Sequence, residues 1–246
     1  MYYFKGNHVT LIFYSLFLFL KCMTTTVIIP TKNEIDAIKK ILPQVNRDWA
    51  DEWILIDGNS TDGTVEEAEK LGFKAIRQQG DGLGAAYREA VSNASCENIL
   101  FFSPDGNALP EYIPKLIKKM NEGNYDIVQI SRFGKNGKSE DDTAITAFGN
   151  RMFTFLANCF FGGKLTDTLF GFKIIKKKVF QEINLDGEFL TLEQQMSIKS
   201  MKLHLKIVEI DGTEPKRVAG EAKMRPLVTG RQLSLQIIKE FIYWKN

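Results

Sequence analysis

The sequence predicts one α/β domain with a largely parallel central sheet flanked by helices and an elaborated C-terminal half. Three observations carry this. Short β-branched or apolar runs alternate with amphipathic stretches of about ten residues, the pattern of repeated βαβ units. Several of those runs end in polar, turn-forming clusters, where a connection to the next helix belongs. The chain has 246 residues, 44% apolar and 25% charged, enough to bury a substantial core at ordinary globular composition. No period of roughly 20–50 residues repeats, which removes a solenoid.

The elements follow in order. TTTVIIPT is a β-branched strand, after which Asn33 is expected to cap a helix with Ile35, Ile38, Leu42 and Val45 on one face. EWILID is the second strand, ending in the turn Asp57-Gly58-Asn59-Ser60, and Thr64 opens a short helix that stops at Gly72. KAIRQ is a third strand. A loop with Gly80, Gly82 and Gly84 leads into the helix AAYREAVSNA. NILFFS runs as a strand into Pro104-Asp105-Gly106-Asn107, Pro110 starts the helix EYIPKLIKKM, and DIVQIS is the fifth strand. Beyond Ser131 the pattern changes: GKNGKSEDD reads as a polar, mobile loop. A helix over Ala144–Phe160, the segment LTDTLFGFKIIKK, a helical pair around 177–200 and the strand KIVEID follow.

Composition excludes several kinds of chemistry. Net charge is +2, so there is no electrostatic case for a nucleic-acid partner. The distribution says more: residues 201–246 carry +4 and residues 31–200 carry −4, an acidic body with a basic end suited to an anionic partner. Cys22, Cys96 and Cys159 are widely spaced, which disfavours a disulfide framework and a thiolate zinc site and favours a reducing compartment. With only His8 and His204, a histidine cluster is excluded. Acid, base or metal chemistry here must run on carboxylates, hydroxyls, Lys and Arg.

The two ends are set apart from the body. Residues 9–20, VTLIFYSLFLFL, are apolar, shorter than the roughly 20 residues a spanning helix needs. The 1–22 leader reads as a membrane-associating anchor, as a secretory signal lacking a small-x-small cleavage site, or as a mis-called start preceding Met23. The third is the expectation, because a complete body, residues 23–226, begins at Met23. At the other end, residues 227–246 form an amphipathic helix with Leu233, Ile237, Phe241 and Trp244 on one side. Such a helix either packs on the domain or lies in a membrane interface.

Three polar clusters fall on one rim, at the C-terminal ends of strands, where open α/β sheets bind ligands. They are Thr31-Lys32-Asn33-Glu34, Asp57 through Thr64, and Ser103 through Asn107. Each alone is also what an ordinary turn or helix cap needs. GDGLG has neither the spacing nor the place of a dinucleotide fingerprint, and there is no P-loop, so a Rossmann dehydrogenase and a P-loop NTPase are disfavoured.

VIIPTKNE, WILIDGNSTDGT, GLGAAYREAV, FFSPDGNALPE, SRF, TDTLFGFKIIKK and GEAKM stand in this order over residues 24–225. Together they resemble the family 2 glycosyltransferases with a GT-A fold, and within them the dolichyl-phosphate mannosyltransferase-like enzymes. The resemblance implies that Pro30, Thr31 and Glu34 hold the nucleoside of a nucleotide-sugar, with Asp57 at the base or ribose. Asp105 matches the second Asp of the family's D-x-D metal motif, and Asn107 stands beside it as a further ligand. Arg132 corresponds to a phosphate-facing arginine. Asp167 and Gly171 match the D-x-x-S-G segment near the acceptor, Glu193 the acidic residue of the following helix, and Arg217 and Lys223 basic residues at a lipid-phosphate end. Asp105, Asp167 and Glu193 are thus the implied catalytic carboxylates. Ser103 replaces the first Asp of D-x-D, and Gly58-Asn59-Ser60 departs from D-D-G-S.

Physical chemistry supports those roles. A departing diphosphate is eased by a hard cation on its oxygens, and Mg²⁺ or Mn²⁺ takes one or two carboxylates plus substrate phosphates. Arg and Lys clamp phosphate. A phosphate monoester acceptor, with a second pKa of about 6, needs little help from a general base, whereas a hydroxyl acceptor needs one, here Asp167 or Glu193. The expected activity is metal-dependent, inverting transfer of a sugar from a UDP- or GDP-sugar to a polyprenyl (dolichyl-type) phosphate. The expected place is the cytoplasm, at the cytoplasmic face of a membrane. The alternatives are a glycan or other hydroxyl acceptor, or a nucleotide-sugar binder without turnover, which Ser103 and Gly58 leave open.

Overall fold

The computed structural model describes residues 23–218 and 225–243. The 1–22 leader, Lys223, Trp244 and Lys245 lie outside the described residues. The first half is β1 (Thr25–Thr31), α1 (Ile35–Ile41), β2 (Glu52–Asp57), α2 (Thr64–Lys70), β3 (Lys74–Arg77), α3 (Gly82–Asn93), β4 (Asn98–Phe101), α4 (Tyr112–Glu122) and β5 (Ile127–Ser131). The second half is β6 (Lys138–Ser139), α5 (Ala144–Phe161), β7 (Lys173–Lys176), α6 (Lys177–Glu182), α7 (Leu190–Lys202), β8 (Ile207–Asp211), β9 (Thr213–Glu214) and α8 (Pro226–Ile242).

Seven strands form one sheet in the order β3-β2-β1-β4-β7-β5-β8. Neighbours are parallel except at β7, which runs antiparallel to both β4 and β5. Side chains alternate across each strand. Val27, Ile29, Leu55, Leu100 and Val128 meet α1, α2 and α4 on one face, through Ile38, Ala68, Ile113 and Leu116. Ile28, Ile54, Ile56, Ile99 and Phe101 meet α3, α6 and α7 on the other, through Ala90, Val91, Phe180 and Met196. A third cluster joins Phe153, Ala157 and Phe161 of α5 to Ile198 of α7 and to Leu233 and Ile237 of α8.

Two local expectations are corrected, and one segment without an assignment from sequence gains one. Asn33 does not cap α1: it sits at φ 54, the left-handed region that Asn tolerates, and its Oδ1 accepts the N–H of Thr61 at 2.9 Å. The loop after Ser131 is tied down rather than free. Lys138–Ser139 pairs with Thr213–Glu214 as a second, two-stranded sheet, Ser139 Oγ donates to Glu214, and the N–H of Asn136 donates to Asp211 at 2.8 Å. KIIK is an inner strand of reversed direction. Because β7 is antiparallel, Lys173 stands opposite Phe101 and Gln129, at the rim where β4 and β5 end. That brings the preceding loop to the same edge as the three polar clusters.

Candidate active site

The chain builds outward from β1 through β2 to β3, then returns to lay β4 on the other side of β1. This reversal is the switch point at which open α/β sheets form a ligand crevice. A cavity of about 820 Å³ opens there, within the usual size for a small-molecule site. Pro30, Thr31, Glu34, Ser103, Asp105, Asn107, Arg132, Gly171, Glu193 and Arg217 all line it. Asp57 and Asp167 do not line it.

The loops after β1 and β2 are sewn together. Thr31 and Asp57 are register partners at the ends of β1 and β2. Asp57 is fully buried and accepts the N–H of Ser60 at 2.9 Å, so its carboxylate shapes the turn from inside. The N–H of Asn33 donates to Ser60 Oγ at 2.8 Å and that of Glu34 to Thr64 Oγ1 at 2.9 Å.

Asp105 sits just beyond β4. Its Oδ1 accepts the N–H of Asn107 at 3.0 Å, and its Oδ2 stands 3.0 Å from Nη2 of Arg217. Asn107 donates its amide N–H to the Pro215 carbonyl at 2.9 Å. The Val218 N–H donates to the Asp105 carbonyl at 3.1 Å. Residues 215–218 therefore lie across the 105–107 turn. Gly106, at φ +95, is needed there, because a Cβ would come within 2.7 Å of Val218 Cγ1.

Arg132 and Asp167 form one buried unit. Arg132 Nε stands 2.7 Å from Asp167 Oδ2 and Nη2 3.1 Å from Oδ1, a bidentate pair, while Nη1 reaches Glu214 at 3.2 Å. Burial alone would ease the proton off the guanidinium, but Asp167, then Glu214 and Asp142, hold it more firmly than usual. Burial pushes the Glu214 carboxyl up against the pull of Arg132. Asp167 also accepts the N–H of Leu169 at 3.1 Å and of Phe170 at 3.2 Å, so its place is behind the cavity wall.

Glu193, on the first turn of α7, forms an ion pair with Lys173, Nζ to Oε2 2.9 Å, both side chains buried. Gly171 is small because a Cβ would lie 2.9 Å from Glu193 Oε1. Tyr87 of α3 joins them. It stacks on Phe101 with centroids 4.0 Å apart, and burial, with the Glu193 carboxylate beside it, pushes its hydroxyl well above the usual value. Tyr87, Lys173, Asp142 and Glu214 were not singled out from sequence. A lysine inside the apolar run FGFKII was the available signal, since lysine is buried only with a partner.

Seven carboxylates line the cavity (Glu34, Asp81, Asp105, Asp141, Asp142, Glu193 and Glu214) against three cationic side chains, Lys32, Arg132 and Arg217. Arg132 is already neutralised by its own acidic partners. Among the described residues no group of three or more His, Cys, Asp or Glu is arranged to hold a metal by itself.

The model of the family described as glycosyl transferase family 2 matches residues 26–184. The chain belongs to that family, and it is a glycosyltransferase. Among its relatives is a dolichyl-phosphate hexose transferase of Haloferax volcanii, 29% identical over 215 residues, which are 87% of this chain and 92% of that one. A dolichol-phosphate mannosyltransferase of Pyrococcus furiosus is 27% identical over 219 residues, 82% of this chain and 60% of that one. Glucosyl-3-phosphoglycerate synthase from Mycobacterium tuberculosis, solved with Mn²⁺, UDP and glucosyl-3-phosphoglycerate, has the same fold. It superposes with a TM-score of 0.70 at 18% identity, covering 99% of this chain and 86% of that one. The fold is therefore GT-A, as the sequence motifs imply.

Proposed function

We propose that this glycosyltransferase moves a hexose, with inversion, from a nucleoside-diphosphate sugar to a polyprenyl phosphate at the cytoplasmic face of a membrane, with Mg²⁺ or Mn²⁺. The observation that carries the reading is the meeting of Asp105 and Arg217 in a cavity whose carboxylates outnumber its cations. A diphosphate entering so acidic a crevice needs added positive charge, and a phosphate acceptor needs a basic residue beside it. The residues fit the metal. Asp105 already holds a cation, the Arg217 guanidinium, and Asn107, its amide nitrogen engaged with Pro215, has an oxygen to offer. Asp105 and Asn107 would hold the ion, with the donor phosphates completing an all-oxygen shell. When bound, the ion neutralises charge on the leaving diphosphate.

The chain's own residues do the rest. Thr31 and Glu34 receive the nucleoside, while Arg217, with Lys223, holds the acceptor phosphate. Arg132, which lines the cavity, faces the donor diphosphate, and Asp167 behind the wall holds its guanidinium in place. The names of the two archaeal relatives, a dolichyl-phosphate hexose transferase and a dolichol-phosphate mannosyltransferase, support the phosphate acceptor. UDP-glucose in the glucosyl-3-phosphoglycerate synthase complex supports a uridine donor.

A second reading has its own observation. Glu193 lines the cavity and is held by Lys173, where it would serve as general base for a hydroxyl acceptor. One experiment separates the two. UDP- and GDP-hexoses are each incubated with Mn²⁺ and either a short polyprenyl phosphate or a panel of sugar hydroxyl acceptors. Glycosyl phosphate product supports the first reading, and transfer to hydroxyls alone overturns it.

A further inference from the structure

Fourteen large apolar side chains are exposed among the described residues, and eleven of them are on α5, on α8 or at Tyr243 directly after α8. This is concentration, not the single scattered exposures that soluble surfaces carry. Ile145, Phe148 and Phe155 project from α5, and Leu235, Ile238 and Phe241 from α8. Leu227, at the start of α8, is 91% exposed.

The two helices form one surface. Their inner sides share a cluster that includes Phe153, Phe161, Leu233 and Ile237. Gly230 lies against the Phe153 ring, and Phe160 meets Phe241 edge-on with centroids 5.7 Å apart. These contacts set the helices side by side in the same direction. Each is apolar on both sides, one side packed on the domain and the other turned outward. Among the described residues no helix is long and apolar enough to cross a membrane.

Charge identifies the occupant. The exposed charged residues on these helices are Arg151, Arg231 and Lys239, with Arg225 directly before α8. The one acidic residue of either helix, Glu240, is buried and paired with Lys202 at 2.9 Å. Lys239 is paired with the exposed Asp186, so the cationic edge rests on Arg151, Arg225 and Arg231, and it matches an anionic lipid surface, where acyl chains take the apolar groups and headgroups the basic ones. The face also begins at the cavity. Asn150 of α5 lines it and donates to Asp142, which lines it too, at 3.1 Å. The N–H of Arg217 donates to Asp141 at 3.3 Å.

From these observations we infer that the outer faces of α5 and α8 form a docking surface for an anionic bilayer and seat the mouth of the active-site cavity at the headgroup layer. This deepens the polyprenyl-phosphate reading and rests on it for its purpose, but its test does not depend on transfer.

The test uses the full chain with vesicles of phosphatidylcholine alone and of phosphatidylcholine mixed with phosphatidylglycerol, read by co-sedimentation. Binding is expected to the anionic vesicles, weaker to neutral ones, and reduced by salt. The triple variant Phe148→Glu, Leu235→Glu, Ile238→Glu should bind at least about tenfold more weakly, with thermal unfolding and nucleotide-sugar binding unchanged. Should the triple variant not fold, Phe148→Ser and Ile238→Ser, made singly, should each lower binding. Wild-type affinity in variants that fold would overturn the inference, and the anchor would then lie elsewhere, as in the 1–22 leader. Absence of vesicle binding, or a wild-type dimer that the variants disperse, would overturn it too. Docking with transfer only to hydroxyl acceptors would uphold the surface and remove the polyprenyl-phosphate reading. Transfer to polyprenyl phosphate in detergent without docking would do the reverse.

Discussion

Arg217 places Nη2 3.0 Å from Oδ2 of Asp105, so the carboxylate expected to hold the metal and the cation expected to hold the acceptor phosphate are partners in one ion pair. Were Asp105 to take the ion as proposed, Arg217 would have to redirect its guanidinium to make room for it. On the proposed assignment, the two substrates' charges would be linked through this one contact. Arg217→Ala should lower the Mn²⁺ concentration needed for half-maximal activity while raising the KM for polyprenyl phosphate more than that for the donor. A metal titration at saturating donor, with acceptor KM measured alongside, checks both. Equal effects on the two KM values would count against the acceptor role.

Asp105→Ala tests the other partner. The side chain lines the cavity and bonds to the Asn107 N–H and to Arg217, outside the apolar clusters that hold the sheet, so the fold should survive. Turnover should fall by at least about 10²-fold, near 2.7 kcal/mol of transition-state stabilisation. Mn²⁺-dependent stabilisation by the nucleotide-sugar in a thermal-shift assay should vanish with it. Unchanged turnover would sink the metal assignment.

Lys173 and Glu193 form a buried pair beneath the cavity, which separates structure from chemistry. Removing one partner strands a charge and costs about 3–5 kcal/mol, whereas replacing both with apolar residues is often near neutral. Glu193→Leu should therefore destabilise strongly in urea unfolding, and adding Lys173→Met should recover most of the loss. If Glu193 is a general base, activity on a hydroxyl acceptor stays absent in the recovered double variant. If its role is to hold the floor with Tyr87, transfer to polyprenyl phosphate returns in part.

Most of the parallel core was legible because β-branched runs, turn clusters and helical spacing agree, and the rim clusters could be located from strand ends alone. The antiparallel β7 was not: KIIK lies within a lysine-rich run, and strand direction depends on pairing rather than on local pattern. The loop over 134–143 reads as polar and mobile because its anchors, Asp211 and Glu214, are distant in sequence. Long-range pairing hid roles as well. Asp167 and Arg132 read as two separate charges in sequence, and only the fold shows them paired with each other. The motif resemblance pointed to Glu193, and the lysine inside FGFKII was the one local sign of its partner Lys173, but nothing local announced Tyr87 beside them.

The loops after β1 and β2 offer a test by pH. Asp62 accepts the Ile35 N–H at 3.2 Å, the Thr64 N–H at 3.0 Å and the Thr64 hydroxyl at 2.6 Å, fastening the start of α1 to the loop before α2. Slight burial pushes its carboxyl up, but the Thr64 hydroxyl and the two N–H groups outweigh that and hold it below its usual 3.8. A carboxyl lowered in the folded state binds fewer protons there than in the unfolded chain. Its contribution to stability is therefore complete above the unfolded value and disappears as pH falls through the folded one. Asp62→Ala should be less stable than wild type at pH 7, with the gap closing below about pH 4. Because Asp62 is exposed, the gap should be modest. Urea unfolding of both proteins between pH 7 and pH 3 measures it, and a gap that persists unchanged into acid would assign the loss to packing instead of the carboxylate. The same variant should weaken nucleotide-sugar binding at pH 7, because Glu34 donates its N–H to the very Thr64 hydroxyl that Asp62 orients.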